Sequence, residues 1–155
     1  MAHADSPNIV FYPPVLFATA PVVAVALEWL LPIGIIGASD GIRMLGFAIL
    51  IIALTLGLWG IAAFKREGTN VSPHTPALVI VTNGPYRMTR NPMYLGIALF
   101  QLGLGLAFSL DWAVLIAPLA LLALHFGVVL REEVYLTAKF GAPYTDYLNR
   151  TRRWI

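Results

Sequence analysis

Two short segments of the chain hold most of the side chains that could take part in chemistry. The first contains two arginines followed by the pair Asn91-Pro92, and the second begins with the adjacent carboxylates of Glu132 and Glu133. A guanidinium group can bind a carboxylate through paired hydrogen bonds, and a carboxylate can accept a proton. The sequence has no cysteine, which excludes thiol nucleophiles. Its three histidines lack metal-site spacing, so we expect no metal.

Each of these residues also has a structural interpretation. Arg87 and Arg90 are either anchors on the basic side of a membrane or a fork for a carboxylate. Asn91 suits the N-cap of a helix and Pro92 its first turn, although the free amides there could also hold a carboxylate. Adjacent helix positions point about 100° apart, so one of the two glutamates can face a site while the other faces water.

The elements that position these residues follow from the composition. Of the 155 residues, 59% are hydrophobic and 12% are charged, whereas average globular domains are about 45–50% apolar and about 25% charged. A soluble fold of this size cannot bury so much apolar surface, which argues against a soluble enzyme or a nucleic-acid-binding protein. Four apolar runs approach the roughly 20 residues that span a bilayer. They lie at about 15–36, 44–64, 93–110 and 112–130.

The sequence therefore predicts an all-α polytopic membrane protein, in which residues 1–155 form a single domain with about four transmembrane helices. Nine of the ten Lys and Arg residues lie in the loop 65–91 and the tail 131–155, so the positive-inside rule predicts that both segments are cytoplasmic. Prolines and apolar residues favour an ordered loop. The tail has helical spacing, with a break at Gly141 before an interfacial amphipathic helix.

The order and spacing of the motifs resemble those of a group of integral-membrane methyltransferases. The loop ends in Gly-Pro-Tyr-Arg-Met-Thr-Arg-Asn-Pro-Met-Tyr-Leu-Gly at 84–96, and the tail has Glu-Glu at 132–133 and Phe-Gly at 140–141. With the tyrosines that follow and the basic-aromatic end, these motifs resemble the isoprenylcysteine carboxyl methyltransferase and phospholipid methyltransferase superfamily. The first span resembles that of bacterial members, which implies a protein of a bacterial inner membrane.

This resemblance implies S-adenosylmethionine as the methyl donor, S-adenosylhomocysteine as the product and a lipophilic acceptor that arrives from the lipid bilayer. The donor is a water-soluble cation and the acceptor is apolar, so the two can meet only near the membrane interface. The acceptor is either an isoprenylcysteine-like carboxylate or a phospholipid amine. A carboxylate is already a nucleophile at neutral pH, whereas an amine must first lose a proton to a base such as Glu132, Glu133 or a water molecule.

The resemblance also implies roles for particular residues. The residues implied in catalysis are Arg87, Arg90 and Glu133. The residues implied in binding the donor are His74, Val81, Tyr86, Asn91, Pro92, Tyr94, Gly96, Glu132, Glu133, Tyr144 and Tyr147. At Asn91 the sequence departs from the carboxyl methyltransferase branch, which has a histidine there, so a mechanism that uses that histidine as a base does not transfer.

Two other classes of function stay open from the sequence. A membrane reductase related to sterol reductases has a similar helical fold and would bind NADPH, and a non-catalytic membrane protein could retain the same fold. Among the polar residues within the predicted spans, Glu28 is expected at the outer interface beside Trp29. His125 either reaches an acceptor pocket or is satisfied inside the bundle, and Gln101 is expected to hydrogen-bond a neighbouring helix.

Overall fold

The fold consists of helices joined by turns and extended segments. The computed structural model describes residues 5–155, and within this range the chain forms helices and no β-strand. The helices are α1 (Pro13–Leu30), α2 (Asp40–Arg66), a 3₁₀ helix (Gly84–Arg87), α3 (Pro92–Phe108), α4 (Asp111–Leu124), a π-helical segment (His125–Val129), α5 (Leu130–Phe140) and α6 (Ala142–Arg150). This confirms the predicted all-α membrane fold. Helices suit a membrane because each helix satisfies its own backbone hydrogen bonds in lipid.

Three continuous helical stretches are long and apolar enough to cross a membrane. They are Pro13–Leu30, Asp40–Arg66 and Asp111–Phe140. The apolar helix α3 is shorter, with 17 residues, and packs against the longer α2. The chain is therefore an integral membrane protein.

The helices begin and end at residues that differ from the bounds of the predicted spans. The first helix ends at Leu30 rather than near residue 36, because Pro32 follows it and Gly34 has a φ of 74°. The second begins earlier, at Asp40, where the side chain of the preceding Ser39 accepts a hydrogen bond from the first turn. Caps and turn residues, rather than hydropathy, set these bounds.

The helix of the fourth predicted span extends into the tail, as the helical spacing there predicts, and continues through the π-helical segment to Phe140. Gly141 then has a φ of 61°, a conformation that favours glycine, and α6 begins at the next residue. The predicted break before a short amphipathic helix is thus confirmed. The π-helical segment inserts an extra residue into one turn and sets the direction in which α5 presents its side chains.

Helix α3 lies at the centre of the bundle, with α2 packed along one side and α4 along another. Glycines allow the close approach to α2. A Cβ atom added at Gly96 would lie 3.0 Å from Ala53 O, and one added at Gly103 would lie 2.9 Å from Leu50 Cγ. Helix α1 packs mainly on α4 and only over a short stretch on α3, so it leaves a gap beside α2.

The two ends of the bundle are named here by their connections. The hairpin end holds residues 31–39 and the turn between α3 and α4. There Asp111 accepts a hydrogen bond from Ile35 N at 2.8 Å and one from Ile36 N at 2.7 Å. The loop end holds residues 5–12, the loop 67–91 and the tail 141–155.

Candidate functional site

A cleft at the loop end lies between the loop, the first turn of α3 and the helices α5 and α6. Its cavity volume is about 110 Å³, and apolar loop residues such as Val71 and Val81 form one wall. The charged side chains of its lining are Arg90, Glu132 and Glu133, and its aromatic ones include Tyr86, Tyr94, Tyr144 and Tyr147.

Glu132 is the carboxylate that faces the cleft with unused hydrogen-bonding capacity. Its Oε1 accepts a hydrogen bond from Tyr94 Oη at 2.7 Å, which connects α5 to the first turn of α3. Within residues 5–155, no hydrogen bond involves its second oxygen. This oxygen is therefore available to a ligand in the cleft.

Glu133, one residue further along, is held by two arginines. Its Oε1 accepts hydrogen bonds from Arg90 Nη2 and Arg153 Nε, both at 2.9 Å, and its Oε2 accepts one from Arg153 Nη2 at 2.8 Å. Arg90 also donates to Leu148 O at 2.8 Å. These contacts join the loop, α5 and the tail, so the ion-pair cluster fixes the wall of the cleft.

Asn91 precedes α3, as predicted, but its side chain does not cap the helix. Its Nδ2 instead donates to Arg153 O at 3.0 Å, and Thr89 Oγ1 donates to the same oxygen at 3.0 Å. The expected side-chain N-cap is therefore wrong: the contact with Arg153 O orients the side chain towards the tail, and its oxygen accepts no hydrogen bond from the first turn of α3. Pro92 occupies the first helical position, as predicted, and is fully buried.

The tyrosines of the cleft differ in how their hydroxyl groups are used. Tyr147 Oη donates to Tyr86 O at 2.7 Å, whereas Tyr86 Oη is buried with no hydrogen-bond partner in the described residues. Burial raises the pKa of Tyr86, Tyr144 and Tyr147 above the usual range of phenols. The three phenols are therefore neutral at physiological pH and cannot act as bases.

An apolar groove lies beside the cleft, in the gap between α1 and α2, with α3 at its back. Its volume is about 540 Å³, and its lining contains no charged side chain. The groove and the cleft share the lining residues 71–73, Met93 and Tyr94. Tyr94, whose hydroxyl contacts Glu132, is thus part of the wall that separates the two cavities.

Residues 5–12 form a strap that lies along α5 and contributes to both cavities. Asp5 accepts hydrogen bonds from Lys139 Nζ at 2.7 Å and from Tyr135 Oη at 2.9 Å. Its pKa is lowered by the hydrogen bond from Lys139. Pro7 lines the cleft and Tyr12 lines the groove, so the strap covers the place where the cavities meet.

The strap and the loop are joined through a shared hydroxyl. Ala77 N donates to Tyr135 Oη at 3.2 Å, and the same hydroxyl donates to the strap. At the other end of the strap, Phe11 lies against Gly127 so closely that a Cβ atom there would lie 2.8 Å from Phe11 Cζ. Strap, loop and α5 therefore form one connected roof.

The structure brings together most of the residues that the resemblance implies, but not all of them. Those that line the cleft are Val81, Tyr86, Arg90, Asn91, Tyr94, Glu132, Glu133, Tyr144 and Tyr147. Arg87 is exposed and lines neither cavity, and Gly96 lies in the groove. His74 lies outside both linings, with its ring centroid 5.0 Å from that of Tyr12. Pro92 is likewise outside both linings.

The predictions for two polar residues within the helices, His125 and Gln101, have different outcomes. His125 Nδ1 accepts a hydrogen bond from Trp154 Nε1 at 3.3 Å, which fits a histidine satisfied inside the bundle. The expected hydrogen bond of Gln101 to a neighbouring helix is wrong. Both polar atoms of its buried side chain lack a partner in residues 5–155.

Sequence reasoning missed several residues that shape the site. The sequence indicates Arg153 only as part of a basic end, although its side chain binds Glu133 and its backbone carbonyl accepts a hydrogen bond from Asn91. The strap residues Asp5 and Tyr12 gave no motif signal. The groove residues also gave none, because apolar residues that line a cavity and those that face lipid look alike in a sequence.

Comparisons with known proteins give one family and one relative. The family model described as phospholipid methyltransferase matches residues 42–143. An uncharacterized protein of Haemophilus influenzae is 38% identical over 65 residues, which are 41% of this chain and all of that protein. No solved structure shows a significant match to the chain. Within the described residues, no group of three or more His, Asp or Glu side chains is placed to hold a metal ion.

Proposed function

The chain belongs to the phospholipid methyltransferase family, and we propose that it transfers a methyl group from S-adenosylmethionine to the amine of a lipid-like acceptor. The observation that carries the proposal is the shared wall of the two cavities. A polar cleft at the end of the helices and an apolar groove between the helices meet at Tyr94, beside the free oxygen of Glu132. This arrangement suits one polar and one apolar reactant.

The lining of the cleft fits S-adenosylmethionine as the donor. Aromatic faces attract a sulfonium cation, and five tyrosines line the cleft. The buried hydroxyl of Tyr86 lacks a protein partner and can hydrogen-bond a ligand. When bound, the donor supplies a methyl group attached to a positively charged sulfur. Tyr86 and Tyr94 would hold it by these contacts, with S-adenosylhomocysteine as the product.

The groove fits the hydrocarbon part of an acceptor. It lies between α1 and α2, which make little contact with each other, so a chain can enter sideways from the bilayer. Its apolar lining matches the tail of a lipid. The polar end of such an acceptor then lies near Tyr94, because the groove and the cleft share that residue.

The charges around the shared wall favour an amine over a carboxylate as the acceptor. A carboxylate would have to compete with Glu133 for Arg90 and Arg153, since both guanidinium groups already pair with it and, of their buried nitrogens, only Arg90 Nε lacks a hydrogen-bond partner in the described residues. The exposed Arg87 lies outside both linings. An ammonium group, by contrast, can donate a hydrogen bond to the free oxygen of Glu132.

Glu132 takes the role of proton acceptor in this proposal, in place of the expected Glu133. The ammonium form of the acceptor gives one proton to the carboxylate of Glu132. The nitrogen would then use the freed electron pair to form the new bond to the methyl carbon, while the bond from that carbon to the donor sulfur breaks and its electron pair stays on the sulfur. Tyr94 orients the carboxylate by its hydrogen bond, while alignment of the two reactants lowers the barrier.

The orientation of the protein follows from the same proposal. Residues 65–91 and 131–155 carry nine of the ten Lys and Arg residues, and basic connections stay on the cytoplasmic side. We therefore place the cleft at the cytoplasmic face of a bacterial inner membrane, where a water-soluble donor is available.

The test of the proposed function is identification of the product by mass spectrometry, with isotope-labelled S-adenosylmethionine and a native lipid extract. We expect a labelled N-methyl lipid, and a rate that rises with pH towards the pKa of the acceptor amine. A labelled methyl ester would show a carboxylate acceptor instead. Binding of NADPH without binding of S-adenosylmethionine would favour a reductase, and binding of neither would favour a non-catalytic protein.

A further inference from the structure

Two aromatic rings close the deep end of the groove. Phe17 of α1 and Phe100 of α3 line the groove, and their ring centroids are 4.9 Å apart with an interplanar angle of 46°. Because α1 and α3 share only a short contact, this pair bridges the gap between them. The groove therefore has a floor made of two side chains from different helices.

The chain directions show that the pair lies away from the cleft. Helices α1 and α3 begin at the loop end, so Pro13 and Met93 mark the shallow end of the groove and the two phenylalanines its deep end. From Met93 to Phe100 the helix rises about 10 Å, at about 1.5 Å per residue. The hydrocarbon half of a bilayer is about 15 Å thick, so the groove ends within one leaflet.

We infer that the Phe17–Phe100 pair sets how much of the acceptor's hydrocarbon chain the groove holds, so that acceptors are selected by chain length. The inference rests on the proposed function. Its occupant is a single hydrocarbon chain attached to the reacting amine, because the lining is apolar and the groove shares a wall with the cleft at Tyr94. A longer chain must turn out of the groove into lipid, where protein contact adds little, since lipid is as apolar as the groove.

The experiment uses a series of n-alkylamines of increasing chain length with the full-length protein in detergent. The KM for each amine is measured for the wild type and for Phe17→Ala, and the ratio of the two values cancels partitioning into detergent. We expect a ratio near one for short chains. For chains that pass the floor, KM of the variant should fall relative to that of the wild type with each added methylene group, because the opened groove adds packing contacts to a chain that would otherwise lie in detergent.

The controls distinguish a direct effect of the Phe17–Phe100 pair from a general effect on folding. Phe100→Leu keeps more of the apolar contact and should shift the chain-length limit in the same direction by a smaller amount. Phe108→Ala removes one ring of another aromatic pair, with Phe47 at a centroid distance of 5.7 Å, far from the groove. This control should leave the chain-length dependence unchanged.

Each outcome has a separate meaning. The inference is overturned if folded Phe17→Ala and Phe100→Leu both show the wild-type dependence on chain length. Displacement of a fluorescent fatty amine, measured without any methyl donor, gives the same limit independently of catalysis. If binding shows a chain-length limit but no methyl transfer occurs, the inference is retained and the proposed function is rejected. If methyl transfer occurs without a chain-length limit, the proposed function is retained and the inference is rejected.

Discussion

The two ends of the bundle use carboxylates in different ways. At the hairpin end, both oxygens of Asp111 accept hydrogen bonds from backbone amides of the α1–α2 connection. At the loop end, Glu133 is similarly occupied by two arginines, but the neighbouring Glu132 uses one oxygen for Tyr94 and leaves the other free. The difference indicates that the hairpin end holds the fold together, whereas the loop end retains hydrogen-bonding capacity for a ligand.

The largest effect is expected from Glu132→Gln. The amide keeps an oxygen that can accept from Tyr94 but cannot take a proton from the acceptor. We expect methyl transfer to fall about 10²- to 10⁴-fold, the usual contribution of a general base, with little change in the melting temperature. The assay is the initial rate with labelled donor at saturating acceptor.

The control for this prediction is Glu28→Gln at the hairpin end. Glu28 accepts a hydrogen bond from Trp112 N at 3.2 Å and lines neither cavity. The rate of methyl transfer by Glu28→Gln should equal that of the wild type. Equal rates for Glu132→Gln and the wild type would remove Glu132 from the mechanism.

Removal of Glu133 should affect the fold of the loop end rather than the chemistry directly. Glu133→Ala leaves Arg90, whose side chain is 10% exposed, without its carboxylate partner. Breaking such a partly buried pair costs about 3 kcal/mol, and we expect the tail to become sensitive to proteolysis. Donor affinity, measured by calorimetry, should fall along with it.

Asp111→Ala provides the contrast at the other end. It leaves the amides of Ile35 and Ile36 without their acceptors, so the melting temperature should fall by several degrees. Donor affinity measured on the folded protein should be unchanged. A loss of donor affinity in Asp111→Ala equal to that in Glu133→Ala would show that the two ends are not independent.

The sequence predicted the helical membrane fold and the placement of the loop and the tail on one side of the membrane, because both depend on hydropathy and charge. It could not choose between Glu132 and Glu133, since helical geometry only separates their directions. The choice depends on Arg153, which the tail brings back to α5. His74 and Arg87 lie outside the cleft for a similar reason, as the path of an irregular loop is set by tertiary contacts such as that of Tyr12 with His74.

A smaller effect is expected from filling the groove. Gly57 lines the groove, and a Cβ atom added there meets no other atom within 4 Å. Gly57→Leu should therefore fold normally while it displaces the acceptor chain. We expect KM for a long-chain acceptor to rise about tenfold, equivalent to about 1.4 kcal/mol, with unchanged donor affinity.

Gly41→Leu is the matched control for this substitution, because Gly41 lies in the same helix at the hairpin end and is equally open. Its acceptor KM should stay at the wild-type value. If both leucine variants raise KM equally, the acceptor chain does not occupy the groove.

The smallest effects should distinguish two tyrosines within the cleft. Tyr86→Phe removes a buried hydroxyl that has no partner in the described residues, so the free energy of unfolding should not decrease, while donor affinity should fall by the net value of one hydrogen bond, about 0.5–1.5 kcal/mol. Tyr147→Phe removes a hydrogen bond to the backbone and should instead lower the free energy of unfolding by a similar amount. Calorimetric titration of the donor and thermal unfolding of both variants measure the two effects. If Tyr86→Phe lowered the free energy of unfolding and left donor affinity unchanged, the Tyr86 hydroxyl would stabilise the fold rather than bind the donor. The contrast between a hairpin end that stabilises the bundle and a loop end that binds a ligand would then not hold at this residue.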